Sequence, residues 1–141
     1  MINTASRSLP KNTALIVDDN AAAREELQET LEWLLRFEVT AVGSLAHAIQ
    51  HLGRHGLPRL LIVDLHLGAE DGAELVRYVR ALPGFVERSP LIVATSGYPD
   101  AATRLASLQA PWVPLLKKPL AVDALAQLLT RHFGGRRPDG A

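Results

Sequence analysis

The sequence predicts an α/β protein, a doubly wound parallel sheet of about five strands with helices on both faces. Three observations lead there. Ala14-Leu15-Ile16-Val17, Leu60-Leu61-Ile62-Val63 and Leu91-Ile92-Val93-Ala94 are short apolar blocks that each run straight into polar residues, the form of a strand buried on both faces. Between them, apolar residues recur at spacings of three and four among charged ones, the stripe of an amphipathic helix. Turn formers such as Pro58, Gly72, Pro83, Gly84 and Pro90 punctuate the boundaries.

Residues 1–12 are polar, contain Pro10 and read as a flexible leader to a single domain over 13–133. The first strand stops at Asp18 and Asp19. A helix follows from Asn20 to about position 35, with Ala23, Leu27, Leu31 and Leu34 on one face. Residues 38–42 form a weakly signalled second strand. Ser44 then caps a helix whose inward face holds Leu45, Ile49 and Leu52 and which ends near Gly53 or Gly56. The third strand runs into Asp64; Gly68, Asp71 and Gly72 supply turn chemistry before Leu75, Val76, Val79 and Leu82 restore helical spacing. The fourth strand ends in Thr95, Ser96 and Gly97, and residues 100–108 make a short helix. Residues 113–116 are the last strand before Lys117, Lys118 and Pro119. Leu125, Leu128 and Leu129 mark a final helix, and 134–141 read as a flexible tail.

Composition narrows the function. The length of 141 residues suits one domain, and 48% apolar with 5% aromatic residues describes an aliphatic core. Fifteen basic and fifteen acidic residues cancel, which leaves no general electrostatic footprint for nucleic acid, so direct DNA binding is not expected. The absence of cysteine excludes disulfides, thiolate metal sites and a cysteine nucleophile. No apolar run is long enough to cross a bilayer and no signal segment stands near the start, so a cytoplasmic protein without membrane contact is the expectation.

The polar residues fall at strand ends: Asp18 and Asp19 after the first, Asp64 at the third, Thr95 and Ser96 at the fourth, Lys117 and Lys118 at the fifth. In a parallel sheet with right-handed crossovers these positions meet along one edge, where such folds bind ligands. Three carboxylates in one cleft repel unless a cation joins them, and hard oxygen ligands suit Mg²⁺, which keeps waters and accepts phosphate oxygens. The pattern therefore points to in-line phosphoryl transfer. Asp64 attacks phosphorus, Asp19 with Asp18 holds the metal, and Lys118 and the Ser96 hydroxyl meet the charge on the phosphoryl oxygens.

Val17-Asp18-Asp19-Asn20, Leu61-Ile62-Val63-Asp64-Leu65, Asp71-Gly72, Ser96-Gly97 and Lys118-Pro119, in this order, resemble the signature of response-regulator receiver domains over about residues 13–133. The resemblance implies a flavodoxin-like three-layer sandwich with strand order 2-1-3-4-5. It implies Asp64 as phosphoacceptor, Asp18 and Asp19 as the acidic pair for Mg²⁺, and the backbone carbonyl of His66 as a further metal ligand. Ser96 matches the switching hydroxyl. Thr95 is a competing alignment, being as far from Lys117 as Ser96 is from Lys118, and Pro119 directly after Lys118 favours the Ser96 pair. Implied partners are a sensor histidine kinase or histidine phosphotransfer protein and a downstream effector protein or parent-chain kinase. A homodimer through the last helices is a further implication, as are self-catalysed phosphorylation and autodephosphorylation. The chain departs from the pattern at Leu115, where an aromatic ring is usual, at Gly68, where many relatives have proline, and at Ala110-Pro111-Trp112, in place of a glycine-containing turn.

Plainer readings stand beside these. Asp18 and Asp19 also suit a helix N-terminal cap, Asp64 a turn, and Thr95 and Ser96 the closing of a loop. Lys117, Arg136 and Arg137 read as solvated charges, and His47, His51, His55, His66 and His132 show no recognised ligand spacing. Trp33 and Trp112 are core or contact residues. The competing function is a nonphosphorylated receiver-like interaction module. A hydrolase lacks a second carboxylate placed as acid beside Asp64, and a dinucleotide enzyme lacks the glycine-rich loop after the first strand.

Overall fold

The computed structural model describes residues 12–107, 110 and 112–134. The leader up to residue 11, Leu108, Pro111, Arg136, Arg137 and the rest of the tail from 135 lie outside the described residues. In chain order the elements are β1 (Thr13–Val17), α1 (Ala21–Trp33), β2 (Glu38–Val42), α2 (Leu45–His55), β3 (Leu60–Asp64), β4 (His66–Leu67) and β5 (Glu70–Asp71). They continue with α3 (Ala73–Arg80), α4 (Phe85–Arg88), β6 (Leu91–Ser96), α5 (Ala101–Ser107), β7 (Leu115–Lys117) and α6 (Val122–His132).

The main sheet is five-stranded and parallel, in the order β2-β1-β3-β6-β7. Counting only its own strands, that is the order 2-1-3-4-5. Alternation along each strand divides the core. Leu15, Val17, Leu61, Val63, Ile92 and Ala94 pack with Leu52 of α2, Val76 and Val79 of α3 and Leu105 of α5. Ala14, Ile16, Leu60, Ile62, Leu91 and Val93 pack on the other face with Leu31 of α1 and Leu125 and Leu129 of α6. The result is the three-layer sandwich the aliphatic blocks require, each central strand buried on both faces.

Helix starts follow their caps. Asn20 Oδ1 accepts from the Ala23 amide at 2.9 Å and Ser44 Oγ from the His47 amide at 3.2 Å, so neither Asp18 nor Asp19 is used as the α1 cap. Two assigned inward residues turn out differently. Leu34 lies past the end of α1 and is 66% exposed, because Arg36 takes a left-handed φ of 61° and swings Phe37 into the core instead. On α2 the buried stripe is Ala48 and Leu52 with Leu45 packed beside them, while Ile49 is exposed.

The last strand begins at Leu115 rather than Val113. Pro114 has no amide hydrogen to give the ladder, and only its carbonyl joins, accepting from the Ala94 amide at 2.9 Å. Three small elements have no signal in the hydrophobic pattern: the single turn α4, and β4 and β5, which pair antiparallel. That pair is closed by Gly68 and Ala69, with Gly68 at φ 60°. Proline, locked near −65°, cannot hold such a turn, which accounts for glycine at this departure from the family pattern.

Candidate phosphoacceptor site

Asp18, Asp64, Thr95 and Ser96 are the buried polar or charged residues among those described, and all four stand at the carboxyl edge of the sheet. Carboxylate oxygens of Asp18, Asp19 and Asp64 lie within 4.8 Å of one another, with Asp19 exposed at the mouth. Each buried carboxylate is fixed by its own backbone. Asp18 Oδ1 accepts from the Asn20 amide and Asp64 Oδ1 from the His66 amide, both at 2.9 Å. Their other oxygens share one cation: Lys118 Nζ donates to Asp18 Oδ2 at 2.8 Å and to Asp64 Oδ2 at 2.7 Å.

Lys118 reaches the cleft because its amide, following β7, donates to the Ser96 carbonyl at 3.1 Å and continues the β6 register. The Lys118–Pro119 peptide bond is cis. Burial alone would push the Lys118 pKa down, but its hydrogen bonds to Asp18 and Asp64, together with their charges, outweigh that and hold it above the ordinary lysine value. Lys117, its neighbour, is exposed, as alternation along a strand requires.

Three carboxylates against one ammonium leave a formal charge of −3 + 1 = −2. All three are hard oxygen donors at one edge, and a single divalent cation would cancel that charge, so the residues fit Mg²⁺. The backbone makes room for this. Gly72 begins α3 directly beneath the site, and a Cβ there would collide with the carbonyl oxygen of Asp64. The need for glycine at this position is thus one of space, with φ at an ordinary −61°.

Thr95 and Ser96 face opposite sides. Thr95 lines a groove of about 380 Å³ between α1 and α6, together with Asp18, Lys118, Ala23, Leu27, Leu120 and Leu125. Ser96 Oγ turns the other way. It accepts from the Tyr98 amide at 2.9 Å and lies 3.4 Å from His66 Nδ1. Leu115 is half-buried against the core on the Ser96 side, where the family pattern has its ring.

The layer around Ser96 leaves no trace in the sequence pattern. The His66 ring stacks on Tyr98 with centroids 3.9 Å apart, and its Nε2 lies 3.2 Å from Arg104 Nη1. Arg104 Nε in turn lies 3.5 Å from Asp71 Oδ2. Arg24 was likewise missed; its Nη1 donates to the Asp18 carbonyl at 2.8 Å and braces the first acidic loop. The only available signal for His66 was its place two residues after Asp64.

Comparisons with known proteins agree with this geometry. The response regulator receiver domain family matches residues 14–130. A 14.6 kDa protein from the sodA1 3′ region of Leptolyngbya boryana is 32% identical over 133 residues, which is 94% of this chain and 98% of that protein. The response regulator receiver domain (CheY-like) of Methylobacillus flagellatus superposes with a TM-score of 0.72 at 31% identity, covering 87% of this chain and 99% of that one. The regulatory protein VirG of Agrobacterium tumefaciens is 28% identical over 80% of this chain, which spans 40% of VirG. The chain belongs to the response-regulator receiver family, the signal-receiving domains of two-component and phosphorelay systems. Among the described residues no helix is long and apolar enough to cross a membrane.

Proposed function

We propose that this receiver takes a phosphoryl group onto Asp64 from a phosphohistidine of a sensor kinase or phosphotransfer protein, with Mg²⁺ held by Asp18, Asp19, Asp64 and the His66 carbonyl. The observation that carries it is the Lys118 ammonium lying between two buried carboxylates, 2.7 Å from Asp64. A carboxylate oxygen of Asp64 forms the new P–O bond as the P–N bond to the donor imidazole breaks, and the imidazole nitrogen leaves with that electron pair. Mg²⁺, when bound, supplies charge neutralisation for the phosphoryl oxygens.

The chain's own residues do the rest. The His66 amide fixes Asp64 Oδ1, which leaves Oδ2 as the oxygen facing Lys118. As charge shifts onto the transferred group, Lys118 turns one donor to it, a preorganised cation needing little movement. Ser96 supplies a hydroxyl to another oxygen and draws the loop after β6 toward the site, and Thr95 stays with the groove. Lys118, which is hydrogen-bonded to Asp64, lines that groove, so a donor protein seated along α1 would bring its imidazole to the neighbourhood of Asp64. Self-catalysed loss of the phosphoryl group to water returns the resting state. Output passes to an effector protein, a parent-chain kinase or a second copy of the chain in the cytoplasm.

The test is mass spectrometry of the native chain after incubation with a small phosphodonor and Mg²⁺. One phosphoryl group is expected on the wild type and none on Asp64→Asn. No gain, or an equal gain in the variant, overturns the reading. The second possibility, a nonphosphorylated interaction module, corresponds to the first of those failures. Equal sedimentation mass before and after labelling would count against phosphorylation-driven dimerisation.

A further inference from the structure

We infer that the His66 side chain and Arg104 form a latch that positions the Ser96 hydroxyl and ties it to α5, so that phosphorylation is read out by release of that helix. This rests on the reading that Asp64 is the phosphoacceptor, and what it adds is the part played by the His66 ring and Arg104, which take no part in the transfer itself.

The hydrogen-bond roles are forced by one group. A guanidinium has donors only, so at 3.2 Å Arg104 Nη1 must donate to His66 Nε2. The accepting ring nitrogen is then unprotonated and the ring proton sits on Nδ1, which points at Ser96 Oγ at 3.4 Å. Ser96 Oγ therefore accepts from Nδ1–H and from the Tyr98 amide, while Tyr98 stacks on the ring and fixes its plane. Around the outer end of the ring, Asp100 Oδ1 is 4.0 Å from Nε2, and Arg104 is steadied by Asp71, whose other oxygen caps the Ala73 amide at 3.0 Å.

A continuous path thus runs from Ser96 through His66 to Arg104 on α5. In the resting chain every link holds the hydroxyl toward Tyr98 and His66. When Ser96 turns to a phosphoryl oxygen on Asp64, the Tyr98 amide and His66 Nδ1 lose their acceptor together, and the His66–Arg104 contact no longer has a fixed ring to grip. The helix it releases is seven residues long, too short to persist by propensity alone and dependent on what it packs against. The path lies on the face where Leu115 replaces the usual ring, so the latch provides a link from site to surface that does not need ring rotation.

The experiment follows amide hydrogen exchange of Tyr98 and residues 101–107 by NMR on the full chain, before and after a small phosphodonor with Mg²⁺, with label uptake measured in parallel. Loss of one hydrogen bond predicts exchange faster by about three- to tenfold at these amides in labelled wild type. Arg104→Ala should take up label normally, show the faster exchange already without label, and gain little on labelling. Arg104→Lys keeps one donor for Nε2 and should restore part of the labelling-dependent change, an outcome that general loosening of the helix would not give. Normal label uptake with unchanged exchange at Tyr98 and α5 overturns the latch and leaves the phosphoacceptor reading standing. No uptake by wild type overturns both.

Discussion

Lys118 Nζ donates to Asp64 Oδ2 at 2.7 Å, joining residues 54 positions apart in the chain, and the same ammonium reaches Asp18 at 2.8 Å. One cation thus stands between two buried carboxylates that would otherwise repel. Lys118→Met removes it while keeping the apolar stem. Since a hydrogen bond to a charged group contributes about 1.5–3 kcal/mol, the initial rate of phosphoryl uptake should fall about ten- to hundredfold. Quenched-time mass spectrometry measures this, and a rate within about twofold of wild type would mean that Lys118 does not meet the transferring charge.

Mg²⁺ should stabilise the fold. At a free concentration ten times its dissociation constant, linkage predicts about 1.4 kcal/mol, seen as a rise in melting temperature. Asp19 is exposed and, among the described residues, enters no hydrogen bond or ion pair, so Asp19→Asn should melt near wild type without metal and lose most of the rise. An undiminished rise in the variant would place the ion elsewhere.

Gly72→Ala should destabilise the domain by about 2–3 kcal/mol, because its methyl group meets the Asp64 backbone carbonyl, which the β3 ladder holds in place. Urea unfolding gives the number. A loss under about 0.5 kcal/mol would show that α3 can back away from the site.

His51 gives the domain a pH dependence away from the site. Partial burial, and then the charge of His55 beside it, hold its pKa below the ordinary imidazole value. The unfolded chain therefore takes up this proton more readily than the folded one. The associated stability is complete above about pH 6.5 and is lost as pH falls through the lowered folded value. His51→Gln should flatten the melting temperature between about pH 7 and 5; an unchanged slope would assign the effect to other groups.

Much of the fold was legible because buried parallel strands leave a strong trace. Residues 14–17, 60–63 and 91–94 are aliphatic on both faces, so alternation was not needed to find them, and each stops where the sheet edge meets water. Less survived where one residue changes the path. Leu34 obeyed helical spacing yet lies outside α1, because a single left-handed residue at Arg36 redirects the chain and Phe37 takes the core position. β4 and β5 have two residues each, too few to show a period.

The sequence by itself determined the types of group available: carboxylates, hydroxyls and an ammonium at strand ends, in an order that a parallel sheet must bring to one edge. Only the tertiary structure decided which oxygens share the Lys118 ammonium, which of Thr95 and Ser96 faces the groove, and that His66, Tyr98 and Arg104 surround Ser96. The physical reason is that strand periodicity is a local property of the chain. Side-chain contact depends on register and loop geometry, summed over residues far apart in sequence.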